Sequence, residues 1–130
     1  MSQIISIIEN LDGLIELKPA TQKDVFDIEI ELALPLSEEY KTYLMRFGAI
    51  MANGIELTGF AKSKNRNIVD VTRREWELND KVPHTMYVIE NVGIDGIIIW
   101  QDKSGKIYQS SPSIAPFIIA NSLSDYLNNK

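Results

Sequence analysis

The sequence predicts an α+β fold, a mainly antiparallel sheet with helices packed around it. Two observations carry that prediction. The second half reads as short apolar strands parted by turn residues, at 85–90, 97–101 and 106–109. The first half and the last few residues show helical periodicity with capping residues. Strands arriving as hairpins, with helices gathered towards the ends of the chain, pair antiparallel. Neither repeat nor linker interrupts the 130 residues, so the reading is one domain, 1–130, with a single ordinary core.

Ile4, Ile5, Ile7, Ile8 and Leu11 form a short amphipathic helix closed by Asp12-Gly13, and residues 14–17 continue extended towards Pro19. Residues 21–34 support two readings. Thr21 with Asp24 three residues on is a capping-box start, and Val25, Ile28 and Leu32 share a helical face. Yet Phe26, Ile28, Ile30 and Leu32 alternate with Asp27, Glu29 and Glu31, and that strand period is locally the stronger pattern.

Residues 34–60 carry the clearest boundaries. Pro35 disfavours helical backbone at Leu34. Ser37 is a good N-cap, and Glu38 and Glu39 set negative charge at the positive end of the next helix. Tyr40, Tyr43, Leu44 and Phe47 make one apolar stripe, and Gly48 suits a helix-closing left-handed residue. A small-residue loop with Asn53-Gly54 leads to a strand over 55–60 that Gly59 ends.

The polar run 62–67 reads as a solvated loop. Residues 68–79 read as a helix with Val69, Thr72 and Trp76 on one side and Arg73 placed to pair with Glu77, and Pro83 bars its continuation. Strands at 85–90 and 97–101 flank a turn at 91–96. Asp102 to Gly105 is a tight hairpin turn before the strand at 106–109. Phe117 to Ala120 is either a fourth strand or a helix start. Ser122 with Asp125 opens a last helix to Asn128, with Leu123, Tyr126 and Leu127 apolar.

Leu34-Pro35, Tyr40-Lys41, Tyr43-Leu44, Phe47-Gly48, Asn53-Gly54 and Gly59, followed by the ending from Asn121 to Leu127, resemble the SUKH superfamily in order and spacing. That group includes the Smi/Knr cell-wall regulators of fungi and many bacterial immunity proteins. The resemblance covers roughly residues 20–128 and implies a SUKH-like fold, with a helix over 21–34 and Glu29 as the glutamate ahead of the Leu-Pro pair. One departure is the segment from Ala49 to Ala52, where relatives often carry a glycine pair.

Composition narrows the function. With 45% apolar and 24% charged residues the chain is globular. Zero cysteines exclude disulfides, thiolate zinc sites and thiol nucleophiles, and suit a reducing compartment. The start lacks a basic signal region, and apolar runs such as 97–100 are too short to span a bilayer, so a cytoplasmic protein without membrane contact is expected. The net charge of −5 is uneven: residues 1–60 hold ten acids against four bases, while 61–74 hold five bases against Asp70. An acidic chain is a poor direct ligand for nucleic acid and a good one for a basic protein.

Catalytic signals are scarce. His84 is the single histidine, so neither a triad nor a His-pair metal site can be built. Asp24, Asp27 and Glu31 share a helical face without companion ligands and read as solvated. Glu75 and Glu77 diverge on a helix. Asp95-Gly96 and Asp102 to Gly105 are turn chemistry without a calcium-loop ligand series. There is no phosphate-binding glycine loop, and the basic run 62–74 has no aromatic residue until Trp76, so it makes no RNA platform.

The resemblance implies a non-enzymatic protein-binding domain without cofactor, most simply an immunity protein that occludes a nuclease-type toxin domain by stoichiometric binding. The alternative it implies is an intracellular scaffold or regulator of the Smi/Knr type. Candidate contacts are Glu56, Asp70, Glu75, Trp76, Glu90, Asp95 and Trp100, acidic or aromatic residues of the sheet and the intervening helix. Trp100 ends an apolar strand, where burial is the first expectation. On an open face it would be an anchor with an acidic rim.

Overall fold

In the computed structural model, which describes residues 3–130, two antiparallel sheets are wrapped by helices, an α+β fold. α1 (Gln3–Glu9) buries Ile4 and Ile8 and is followed by β1 (Ile15–Glu16). Next comes α2 (Gln22–Leu32), which settles the ambiguous stretch as a helix. Thr21 Oγ1 accepts from the Asp24 N–H at 3.1 Å and Asp24 Oδ2 accepts from the Thr21 N–H at 2.9 Å. Val25, Ile28 and Leu32 point inward, while Phe26 and Ile30 lie one turn apart on the outside. The strand-like alternation thus comes from a second apolar stripe facing solvent.

α2 ends because Leu34 precedes proline. Ala33 takes a left-handed conformation (φ 54°), and the Leu34 N–H turns back to the Glu29 carbonyl at 3.2 Å. A side chain in that region costs roughly 1 kcal/mol. Ala33→Gly is therefore expected to stabilise the protein by about that amount, read as a higher urea midpoint; an unchanged or lower midpoint would contradict it.

α3 (Glu38–Phe47) forms as its caps dictate, with Ser37 Oγ accepting from the Tyr40 N–H at 2.9 Å. Gly48 closes it at φ 74°, where a Cβ would stand 2.1 Å from the Lys18 carbonyl oxygen. The segment that follows is β2 (Ile50–Ala52), not a loop: it pairs with β1 on one side and with β3 (Ile55–Glu56) on the other. Asn53-Gly54 is the two-residue hairpin turn between them, with Gly54 at φ 74°. β3 is shorter than the 55–60 strand expected. Beyond Glu56 the chain makes only single bridges, Leu57 to Glu90 and Gly59 to Asn67.

α4 (Ile68–Leu78) is capped by Asn67, whose side chain accepts from the Val69 N–H. Arg73 does not turn to Glu77; its Nη2 donates to the Glu31 carbonyl at 2.7 Å and so ties α4 to α2. The larger sheet follows in chain order: β4 (Met86–Asn91), β5 (Ile98–Asp102), β6 (Ile107–Ser111) and β7 (Ile114–Ala120). The apolar run left open in the sequence is thus a fourth strand. α5 (Leu123–Asn128) closes the chain, and Ser122 Oγ accepts from the Asp125 N–H.

The ladder gives the sheet two working faces, because directly opposed residues share a face. One face carries Tyr87, Ile89, Ile99 and Ile107 into the main core with α1, α2, α3 and α5. The other carries Val88, Ile98 and Trp100 against Val71 of α4. Cover runs out across the sheet. In the row Val88, Trp100, Tyr108, Ile118, exposure rises from nil to 54% at the β7 edge.

Candidate protein-binding surface

Beside the C-terminal end of α4, the sheet face that α4 covers opens into a cavity of about 370 Å³. Ile98 and Trp100 lie behind its floor, and the Trp100 indole N–H donates to Ser110 Oγ at 2.8 Å. Glu75 is the one charged side chain in the lining. It is nearly buried, and its Oε2 meets Arg74 Nε at 3.3 Å. Asn79 holds one wall in place by donating from Nδ2 to the carbonyls of Ser111 (3.2 Å) and Ile114 (3.1 Å). The turn containing Asp95 and Gly96 packs against that wall, since a Cβ on Gly96 would stand 2.8 Å from the Pro112 ring. Leu78, next to Asn79, and Ile94, next to Asp95, are 70% and 61% exposed. Large apolar side chains left in water beside a concave apolar wall are what protein interfaces use as anchors.

Of the seven residues chosen from sequence, two line this cavity, Glu75 and Trp100, and Asp95 directly precedes the lining residue Gly96. Trp100 has no exposed surface of its own, so the expectation of burial holds and a partner can meet it only through the cavity floor. Glu56 and Glu90 line a second, more polar depression of about 450 Å³ between the two sheets. Glu90 is buried and committed to the fold. It accepts from the Glu56 N–H (2.9 Å) and the Tyr126 hydroxyl (2.5 Å), and pairs with Lys130 at 3.2 Å. Asp70 sits apart, in a groove of about 240 Å³ with Asp24, Asp27 and Glu31. Trp76 is half-buried, donates to the Met86 carbonyl and stacks on His84 at 4.1 Å. Among the described residues, no group of three or more His, Asp or Glu side chains could hold a metal ion.

A polar cluster that joins several elements lies elsewhere, at the start of α3. Glu29 Oε2 accepts from the Leu36 N–H at 2.8 Å, which fixes the Leu34-Pro35 turn. Ser37 donates its N–H to the Tyr87 hydroxyl (2.9 Å) and its Oγ–H to Gln101 Oε1 (3.0 Å). Glu39 then spans α3, β5 and α5, accepting from Gln101 Nε2 and from the N–H groups of Leu123 and Ser124. The family model SUKH_5, described as SMI1-KNR4 cell-wall, matches residues 1–130. The chain belongs to the SUKH family.

No curated protein matches the sequence. In this SUKH chain Glu29, the glutamate ahead of the Leu-Pro pair, is a joint of the fold, and so are its neighbours: Glu29 and Ser37 dock α3 onto the turn and the sheet, and Glu39 docks α5. No helix among the described residues is long and apolar enough to cross a membrane.

Sequence reasoning missed two apolar surfaces. Phe26 and Ile30 on α2 are about 60% exposed, and their signal was the surplus apolar period within a helical stretch. On β7, Ile114, Phe117, Ile118 and Ile119 are all exposed. Their composition is that of a buried strand, so only the sheet order marks them as an edge.

Proposed function

We propose that this SUKH chain is a non-enzymatic immunity module that binds a toxin domain, nuclease-type, in one-to-one fashion in the cytoplasm and blocks its substrate groove. One observation carries the reading. The chain's net charge is −5, and its cavity at the end of α4 has a carboxylate, Glu75, as its only charged lining, with Asp95, Leu78 and Ile94 beside it. Apolar anchors rimmed by acids suit a partner that brings a basic side chain with a long aliphatic stem, such as an arginine of a nuclease groove. Occlusion needs no chemistry from the SUKH chain, only area and charge.

Co-expression with the toxin domain encoded beside it tests this. Wild type is expected to restore growth, and a failure to restore it would sink the reading. Leu78→Asp and Asp95→Asn are expected to weaken binding about tenfold or more each. Both positions are exposed, and asparagine tolerates the left-handed backbone at Asp95 (φ 54°). If instead no toxin lies beside the gene and several host proteins bind specifically, the scaffold or regulator reading takes its place.

A further inference from the structure

We propose that β7 is the surface on which two copies of this chain join, edge to edge and antiparallel, into one continuous eight-stranded sheet. The larger sheet has two edges, and they are treated differently. Beyond β4, the Thr58 N–H reaches the Ile89 carbonyl at 2.9 Å and Leu57 bridges to Glu90, so that edge is taken. Beyond β7, no strand follows among the described residues.

A bare edge is a hazard that single-chain proteins blunt with charge, above all lysine. Here no charged residue occurs from 107 to 124. β7 is apolar along its whole length, and it is bare on both faces: Ile118 lies opposite Tyr108, and Phe117 lies opposite Gln109 on the reverse side. Pro116 and the two register shifts against β6 are the only edge devices present, and they restrict register without repelling a second strand.

Charge selects the occupant. A basic partner finds no carboxylate on this edge to pair with, whereas a second copy brings an equally neutral, apolar strand. The acids that give each copy its net charge lie elsewhere in the chain and are screened beyond about 8 Å at physiological ionic strength. Antiparallel pairing centred on Phe117 sets Ile114 opposite Ala120 of the second copy and Ala115 opposite its Ile119, apolar against apolar throughout. Such a contact is its own mirror in use, so it consumes both edges and closes at two.

The area sets the strength. Four large side chains about half exposed, at roughly 200 Å² each, present on the order of 400 Å² per copy. A standard interface buries about 800 Å² per partner, so with the strand backbone added the dimer is expected to be reversible, in the micromolar range.

Sedimentation velocity of the full chain, from roughly 1 to 200 µM, bracketing that range, decides the matter with no other ligand present. The mass is expected to rise from 14.7 kDa to twice that value. Phe117→Lys and Ile118→Glu are each expected to hold the chain monomeric throughout, with unchanged circular dichroism and urea midpoint. Phe26→Lys, on the exposed apolar stripe of α2, is expected to leave the dimer intact. A wild type that stays at 14.7 kDa, a dimer indifferent to both β7 variants, or open-ended growth beyond two copies would each overturn the proposal. None of these readouts depends on a toxin, so this proposal and the immunity reading fail separately.

Discussion

Glu39→Ala is expected to destabilise the protein by roughly 3 kcal/mol or more, a large share of the 5–15 kcal/mol that holds a domain of this size folded. The carboxylate sits half-buried at the start of α3 and takes four hydrogen bonds: from Gln101 Nε2 (3.0 Å) and the Leu123 N–H (2.7 Å) at Oε1, and from the Ser124 N–H (3.0 Å) and Oγ–H (2.9 Å) at Oε2. Two of those donors are first-turn N–H groups of α5, which have no partner within their own helix. A helix of six residues does not persist alone, so α5 depends on this anchor and on Leu123 and Leu127 in the core. Glu39→Gln is expected to rescue little. Whichever way its amide turns, an NH₂ group faces donors where an oxygen stood. Urea unfolding followed by circular dichroism and tryptophan fluorescence measures both variants. A loss below about 1 kcal/mol for Glu39→Ala would show that water replaces the carboxylate and that Glu39 is not the joint the geometry makes it.

What was legible in the sequence was what local hydrogen bonds decide. Thr21, Ser37 and Ser122 each satisfy an N–H three residues on, so helix starts could be read from neighbours alone. The hairpin at Asp102 was legible for the same reason, since its Oδ1 accepts from the Ser104 and Lys106 N–H groups within the turn. β2 is not legible because three residues show no period; the available sign is Asn53-Gly54, whose composition suits a loop as well as the two-residue hairpin turn it forms. The site was less legible. Whether Glu90 is a surface acid or an internal joint depends on Tyr126 and Lys130, 36 and 40 residues later in the chain. Residues 114–120 would be equally apolar at the centre of a sheet, so their exposure follows from strand order, which sequence does not print. Glu75 and Trp100 line one cavity because α4 packs on the Val88, Ile98 and Trp100 face of the sheet, a contact between distant parts of the chain that no local pattern records.

Raising the pH above 10 is expected to unfold the protein steeply, through tyrosines that cannot ionise in place. Tyr40, Tyr43 and Tyr87 are fully buried, and their rings cluster with centroids about 5 Å apart. Burial pushes all three phenols above their ordinary value of 10.0. At Tyr40 the neighbouring Tyr43 adds to that rise; at Tyr43 the hydrogen bond from the Ile50 N–H, and at Tyr87 those with Ser37, oppose it without cancelling it. Each hydroxyl is also needed as a donor or partner: Tyr43 to the Thr58 carbonyl at 2.6 Å, Tyr87 to Gln101 Oε1 at 2.9 Å, Tyr40 with Thr58 Oγ1 at 2.9 Å. A folded-state value raised above the unfolded one contributes stability that is fully present below pH 10 and is lost as pH rises beyond it, because only the unfolded chain can release those protons. Each tyrosine removes about 1.4 kcal/mol per pH unit, so three remove about 4 kcal/mol per unit, and two to three units exhaust the whole stability. Phenolate absorbance and loss of circular dichroism are expected to rise together in one sharp step. Tyr126, raised by burial and by its bond to Glu90, adds to the same slope, and Tyr40→Phe, which removes one of these protons, is expected to make the step shallower by about 1.4 kcal/mol per pH unit. Phenolate signal from these three residues appearing near pH 10 with the helices intact would mean that the α3–sheet joint admits water, and would contradict the packing on which both the fold and the placement of the α4 cavity rest.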